Sequence, residues 1–158
     1  MALRRPATIA DAALRLLAHR DYTRQEMSLR LLSKSYGQEE VEETIGRLAD
    51  WGYLDDRAIA ERVVEDCLKD HPRGRSFVAS KLLARGIPEA TIQDALSAYP
   101  LESEEKVARA ALIKLGFRLP IRHQERPRAW RSLARLGFAE STIERICGIP
   151  DPVDDLVT

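Results

Sequence analysis

Hydrophobic residues recur along this chain at intervals of three and four, as they do in amphipathic α-helices, and no stretch alternates in the manner of a strand. Several sequence signals mark where helices begin and end. Thr23-Arg24-Gln25-Glu26 has the form of a capping box, in which a threonine and a glutamate satisfy main-chain N–H groups at a helix start. Further on, Gly52 can take the left-handed conformation that ends a helix, and Asp55 or Asp56 can cap the next one. The pattern therefore predicts an all-α protein.

Three small residues, Ser35, Gly86 and Gly137, stand 51 positions apart and share their hydrophobic surroundings. The apolar residues that flank them at matching distances are Leu31, Leu82 and Leu133 on one side and Tyr36, Ile87, Phe138, Val41, Ile92 and Ile143 on the other. This spacing is typical of two helices that are joined by a tight turn. Its threefold recurrence predicts three copies of one structural unit.

A further amphipathic helix precedes each of these helix pairs, over residues 9–19, 57–69 and 104–115. We therefore predict three tandem three-helix repeats over residues 7–54, 55–100 and 101–148, followed by a flexible tail over residues 149–158 that contains two prolines. A unit of about 50 residues buries little apolar surface alone, so neighbouring units must share theirs. The expected shape is an elongated, curved array.

The large side chains near the turns are expected to be buried. Tyr53 and Leu54 would anchor the turn after Gly52 in the core, and we expect Trp51 and Trp130 to be core residues as well. Cys67 and Cys147 lie on apolar helical faces, where they fit as small buried hydrophobic residues. Nothing in this usage of two cysteines indicates a disulfide.

Charge is balanced over the whole chain but segregated along it. The 158 residues include 25 basic and 25 acidic ones. Residues 39–70 contain 11 acidic and 4 basic residues, whereas residues 106–135 contain nine basic residues and one acidic residue, Glu125. This imbalance favours a polyanionic partner for the third unit, either nucleic acid or an acidic protein face, and scattered solubilising charge is the alternative.

The candidate binding residues are the basic ones on the middle helix of each unit and on the loop that leads into it. For binding a partner or nucleic acid, they are Arg24, Arg73, Arg75, Lys81, Arg85, Arg118, Arg122, Arg126, Arg128, Arg131 and Arg135. Equivalent elements of three repeats should lie along related surfaces of the array, so these residues could form a basic stripe.

Residues that would carry catalysis or bind a metal are not arranged to do so. His19, His71 and His123 do not share the spacing of metal ligands. The sequence has no Cys-x-x-Cys pair, phosphate-binding glycine loop or nucleophile elbow. We therefore predict no enzymatic activity, no metal and no cofactor. No apolar run approaches the ~18 residues of a membrane span and no signal peptide is recognisable, so we expect a cytoplasmic protein without membrane association.

The second and third helices of each unit resemble a helix-turn-helix, a motif that often reads DNA. The third helices begin with Gln38-Glu39-Glu40, Pro88-Glu89-Ala90 and Ala139-Glu140-Ser141, which place carboxylates where DNA phosphates would lie. The repulsion disfavours major-groove reading by these helices, and we interpret the motif as a packing arrangement. A stand-alone DNA-binding protein or transcriptional regulator is the alternative function.

Four stretches of the chain resemble the RecX family of recombination regulators. They are Tyr22-Thr23-Arg24-Gln25-Glu26, Gly52-Tyr53-Leu54-Asp55-Asp56, Gly74 to Ile87 with its Leu82-Leu83-Ala84-Arg85-Gly86-Ile87 end, and Leu133 to Phe138. The resemblance extends over residues 7–147. Two departures stand out: Ser35 replaces the usual glycine of the first repeat, and Lys81 replaces a frequent glutamate.

The resemblance implies a fold of three tandem three-helix repeats, in agreement with the 51-residue period. It also implies binding to RecA and to the groove of the RecA–DNA filament, where such proteins restrain ATP hydrolysis and strand exchange. We also expect direct contact with single- or double-stranded DNA, and a monomeric state.

Overall fold

Every regular element in the part of the chain that the computed structural model describes, residues 8–148, is helical. Within it the α-helices are α1 (Ile9–Leu17), α2 (Arg24–Leu32), α3 (Gln38–Asp50), α4 (Asp56–Lys69), α5 (Arg75–Ala84), α6 (Glu89–Ser97), α7 (Leu101–Lys114), α8 (Arg126–Arg135) and α9 (Glu140–Cys147). A short 3₁₀ helix, His123–Glu125, leads into α8. We refer to α1–α3, α4–α6 and α7–α9 as the first, second and third units. The all-α prediction is confirmed, while Ala7 and the predicted tail over residues 149–158 lie outside the described residues.

Local capping explains several of the helix boundaries. At the start of α2, the Thr23 hydroxyl accepts a hydrogen bond from the Glu26 main chain, and the Glu26 carboxylate accepts one from the Thr23 main chain, each at 3.1 Å. Asp55 caps α4 by accepting from the Ala58 N–H at 2.9 Å. Gly52 follows α3 with a φ angle of 78°, where the absence of a Cβ removes the steric penalty. All three sequence predictions about these ends are confirmed.

The same left-handed turn joins the second helix of each unit to the third. Ser35, Gly86 and Gly137 have φ angles of 68°, 74° and 77°. The leucine four residues before each turn is fully buried: these residues are Leu31, Leu82 and Leu133. The 51-residue period in the sequence is therefore a period in the structure as well.

Buried side chains form two clusters rather than one continuous core. The cluster of the first unit includes Met27, Leu31, Val41, Leu48 and Leu54. The other runs through the second and third units and includes Val78, Leu82, Ile92, Leu112, Leu133 and Ile143. The expectation of shared apolar surface thus holds between the second and third units. It is wrong between the first and second units, because polar groups form their interface. We call the interface between the first and second units the first joint, and the interface between the second and third units the second joint.

Two aromatic residues near the end of α3 are exposed, contrary to the sequence prediction. Trp51 is 63% exposed and Tyr53 is 56% exposed, whereas Leu54 is buried at 1%. Trp51 lies one helical turn beyond Arg47, which is exposed as well, so both belong to the solvent face of α3. Of the adjacent residues Tyr53 and Leu54, only Leu54 enters the core of the first unit, and Tyr53 lies on the surface. Trp130, in contrast, is half-buried and packs against the shared core, as expected.

Candidate partner-binding surface

Three arginines lie on one face of α8. Arg128, Arg131 and Arg135 are three and four residues apart, which places them side by side on a helix. All three are exposed, while Ala129 and Leu133 on the opposite face are buried. Within residues 8–148, none of the three arginines forms an ion pair with a carboxylate. We call these three residues the α8 arginine face.

Further basic residues of the third unit lie at the start of α8 and on the loop that precedes it. Arg118 and Arg122 are exposed on the loop between α7 and α8. The guanidinium of Arg128 lies 5.2 Å from the centre of the Phe117 ring, which is buried and holds the arginine by a cation–π contact. Arg126 begins α8 and lies close to Gly148 at the end of α9, where its charge is favourable beside the terminal carbonyl groups.

The basic candidates of the second unit are mostly engaged within the protein. Arg75 is half-buried and donates from Nη1 to the main-chain oxygens of Leu96, at 2.7 Å, and Tyr99. It thereby fastens the end of α6. Arg73 is half-buried beside the Phe77 ring, at 5.3 Å from its centre. These contacts give both arginines a structural role in the folded chain.

Arg85 forms the central contact of the joint between the first and second units. Its Nε donates to Oε1 of Glu26 at 2.9 Å and its Nη2 to Oε2 at 3.0 Å, so the pair is bidentate. Partial burial acts to raise the pKa of Glu26, but hydrogen bonds from Arg85 and from the Thr23 main chain prevail and lower it from 4.5 to about 2. Arg62 and Asp21 add an exposed ion pair of 2.7 Å to the same joint.

The lowered pKa of Glu26 predicts an acid-sensitive joint. The ionised carboxylate stabilises the fold fully above its unfolded pKa of 4.5, and this contribution is lost as pH falls towards about 2. We therefore expect stability measured by urea unfolding to fall more steeply with acidification in the wild type than in Glu26→Gln. Parallel pH profiles for the two proteins would contradict this role of the ion pair.

Arg24 and Lys81 complete the set of predicted binding residues, and both side chains are exposed. The Arg24 main-chain N–H donates to Oδ1 of Asp56 at 2.9 Å across the first joint. The structure thus exposes Arg24, Lys81, Arg118, Arg122, Arg126, Arg128, Arg131 and Arg135. It gives internal partners to Arg73, Arg75 and Arg85. A binding role for any of them stays a prediction.

Sequence reasoning missed Glu104, a buried carboxylate at the second joint. It is 1% exposed and accepts hydrogen bonds from the Arg75 N–H at 3.0 Å, the Ala139 N–H at 3.3 Å and the Thr142 hydroxyl at 2.9 Å. In the sequence it stands within Glu102–Glu105, a run that is typical of a solvated helix start. The sequence carried one indirect signal. Gly74 and Ala139, the N-caps of α5 and α9, have no side-chain oxygen, so the N–H groups at these helix starts need an acceptor from another part of the chain.

The described residues offer no arrangement suited to metal chemistry: between Thr8 and Gly148, no group of three or more histidine, cysteine or acidic residues could hold a metal ion. None of the helices between these two residues combines the length and the apolar composition of a membrane span. Cys67 and Cys147 are buried free thiols, as expected, and burial raises the pKa of both.

Comparisons with known proteins agree with this architecture. The first and second three-helix domains of RecX match residues 11–48 and 55–96. The chain is 31% identical over 133 residues to the regulatory protein RecX of Chlorobium phaeobacteroides, covering 84% of this chain and 87% of that protein. It is 35% identical over 126 residues to the regulatory protein RecX of Thermus thermophilus, covering 80% of each. The crystal structure of RecX from Lactobacillus salivarius has the same fold, with a TM-score of 0.73, 22% identity and coverage of 87% and 91%.

The fold defines a protein that is built from three-helix repeats and that exposes a basic face on its third unit. Its relatives are named as regulatory proteins, and their similarity extends over both matched domains and most of the chain. The chain belongs to the RecX family and has a regulatory role. The resemblance drawn from the sequence motifs is confirmed.

Proposed function

We propose that this protein binds RecA and the RecA–DNA filament and restrains ATP hydrolysis and strand exchange, without catalysing a reaction itself. It would act in the cytoplasm, during DNA repair and the SOS response. The observation that carries the proposal is the α8 arginine face on a member of the RecX family. Those three arginines are exposed and, among the described residues, have no carboxylate partner.

Electrostatics supports a charged partner for this face. Like charges three and four residues apart on a helix repel one another and are mildly destabilising. An acidic surface removes this repulsion when it docks. A filament repeats its surface along its length, so exposed Arg24 and Lys81 on the other two units can add contacts to those of the third. Linked contacts raise overall affinity well beyond that of any single one.

The direct test is the ATPase activity of RecA on single-stranded DNA with increasing amounts of this protein. We expect a concentration-dependent decrease, accompanied by co-sedimentation of the protein with the filament. Full ATPase activity together with no co-sedimentation would refute the proposal.

Charge reversal tests which surface is used. The triple variant Arg128→Glu, Arg131→Glu, Arg135→Glu is expected to bind filaments at least about tenfold more weakly, because it replaces attraction by repulsion at the α8 arginine face. The matched control is Arg15→Glu, Arg47→Glu, Arg57→Glu, which makes the same change in net charge at exposed positions outside the predicted binding residues. Equal weakening by both triples would assign the effect to net charge alone.

A stand-alone DNA-binding function is the second candidate, because phosphates are also attracted to arginines that lack carboxylate partners. Against it, α3, α6 and α9 begin with acidic residues at or beside their first positions. Contact with about four phosphates predicts a slope of roughly −3.6 for log affinity against log salt on duplex DNA. Tight, sequence-selective DNA binding without RecA would favour this second function.

A further inference from the structure

The two joints between units are built to one plan. At the first joint, the Thr23 hydroxyl donates to the main-chain oxygen of Arg85 at 2.7 Å. At the second joint, 51 residues further along, the Gly74 N–H donates to the main-chain oxygen of Leu136 at 2.9 Å. Each joint therefore seats the turn of one unit on the start of the second helix of the unit before it.

Each turn can approach so closely because its left-handed residue is glycine. A Cβ on Gly86 would lie 2.7 Å from the Cβ of Gln25, and one on Gly137 would lie 2.6 Å from the main-chain nitrogen of Phe77. Any larger residue at either position would have to displace the helix start against which it packs. Glycine at the left-handed position of the turn is thus required for the close packing at both joints.

In the third unit the corresponding helix start is open. The same step of 51 residues places Glu125 at the position of Gly74 and Arg128 at that of Phe77, with Arg131 one helical turn further on. No turn packs on this start within the described residues, and both arginines are exposed. We call Arg128 and Arg131 the open joint face; Glu125 beside them is half-buried, and its Oε2 is buried without a hydrogen-bond partner among the described residues.

The hydrogen-bond donors of the open joint face differ from those of the two closed joints. The Glu125 N–H already donates to the Arg122 main-chain oxygen at 2.9 Å, inside the 3₁₀ helix. The available donors are therefore the guanidinium groups of Arg128 and Arg131, which pair well with anionic oxygens. Both closed joints hold a protein turn at this place, so the anion that fits here is the carboxylate of a protein side chain.

A second copy of this chain does not have the right turn to dock there. The residues of the first unit that correspond to Leu136 and Gly137 are Lys34 and Ser35. Lys34 would bring a positive charge to a basic face, and Ser35 would bring a side chain to a contact that accepts glycine in both closed joints. The two ends of the array are thus mutually incompatible.

We propose that the open joint face binds a tight turn of a partner protein, with a left-handed glycine and acidic side chains beside it, in the place that a further unit would take. This inference deepens the proposed function and rests on its α8 arginine face, for which it specifies the chemistry of the partner. The two closed joints provide the geometry, and the exposed arginines provide the charge complementarity.

The proposal can be tested by giving the chain the turn that it lacks. In Lys34→Glu, Ser35→Gly, the first turn acquires both an acidic residue and glycine, and the Ser35 position already has the left-handed φ of 68° that glycine adopts freely. We expect this variant to associate head to tail, with a weight-average mass in sedimentation equilibrium that rises with concentration to at least about twice the wild-type mass. The wild type should keep the mass of one chain.

Addition of Arg128→Glu to the double variant should abolish the association, because it removes the guanidinium that pairs with the new carboxylate. A double variant that stays monomeric at all concentrations would overturn the proposal, and so would association that persists with Arg128→Glu. RecA is absent from this sedimentation assay, so its outcome does not depend on the ATPase test. Failure of the double variant to associate and failure to inhibit the RecA ATPase can therefore be told apart.

Discussion

Replacement of Glu104 by alanine is expected to lower the free energy of unfolding by about 3–5 kcal/mol. The carboxylate is buried and accepts three hydrogen bonds, from the Arg75 N–H, the Ala139 N–H and the Thr142 hydroxyl. It thereby serves the starts of α5 and α9, which have no caps of their own. Alanine would leave one buried and two partly buried donors without this acceptor, and an unsatisfied buried donor costs about 1–3 kcal/mol.

Urea unfolding followed by circular dichroism measures this loss. Glu102→Ala is the matched control, because Glu102 is an exposed glutamate in the first turn of the same helix. It should change stability by no more than about 0.5 kcal/mol. If both variants lost the same amount, the bridging role of Glu104 would be wrong, and the loss would belong to the acidic start of α7.

The parts of the fold that the sequence predicted are those set by short-range signals. The capping box at Thr23, the glycine turn at Gly52 and the cap at Asp55 each depend on residues within a few positions of one another. The 51-residue period could be detected because the same short-range pattern occurs three times. Helical periodicity then specifies which face is buried, as the leucines before the three turns confirm.

The joints could not be predicted in this way, because their contacts connect residues far apart in the chain. Arg85 pairs with Glu26, 59 positions away, and Arg75 bonds to Glu104, 29 positions away. In a single sequence each of these residues reads as surface charge. The same reasoning therefore identified the exposed arginines of α8 as candidates but placed Arg75 and Arg85 in the same group.

The joints also explain the departure at Ser35. A glycine at the left-handed position does two things: it relieves main-chain strain and it allows close contact with the preceding unit. Gly86 and Gly137 have both tasks, since each packs on a helix start of the unit before it. The turn at Ser35 is not packed on such a helix start in the described residues, so only the strain acts there. Serine can then stand at a φ of 68° without disrupting a joint.

The contact between the second and third units leaves no room for a Cβ at Gly74. A Cβ on Gly74 would lie 1.9 Å from the main-chain oxygen of Gly137 and 2.3 Å from the main-chain nitrogen of Phe138. These are main-chain atoms, so rotation of a side chain cannot relieve the overlap. Gly74 itself has an ordinary φ of −71°, so alanine there brings no main-chain strain of its own.

We therefore expect Gly74→Ala to lower the free energy of unfolding by about 3 kcal/mol or more, at the upper end of the range for overpacking. The matched control is Gly46→Ala in the interior of α3, where the new Cβ meets nothing within 4 Å. Alanine should stabilise that exposed helical position by up to about 1 kcal/mol. Both variants add one methyl group, so the opposite signs in urea unfolding isolate the joint as the cause. A Gly74→Ala protein as stable as the wild type would show that the two units do not touch through their main chains.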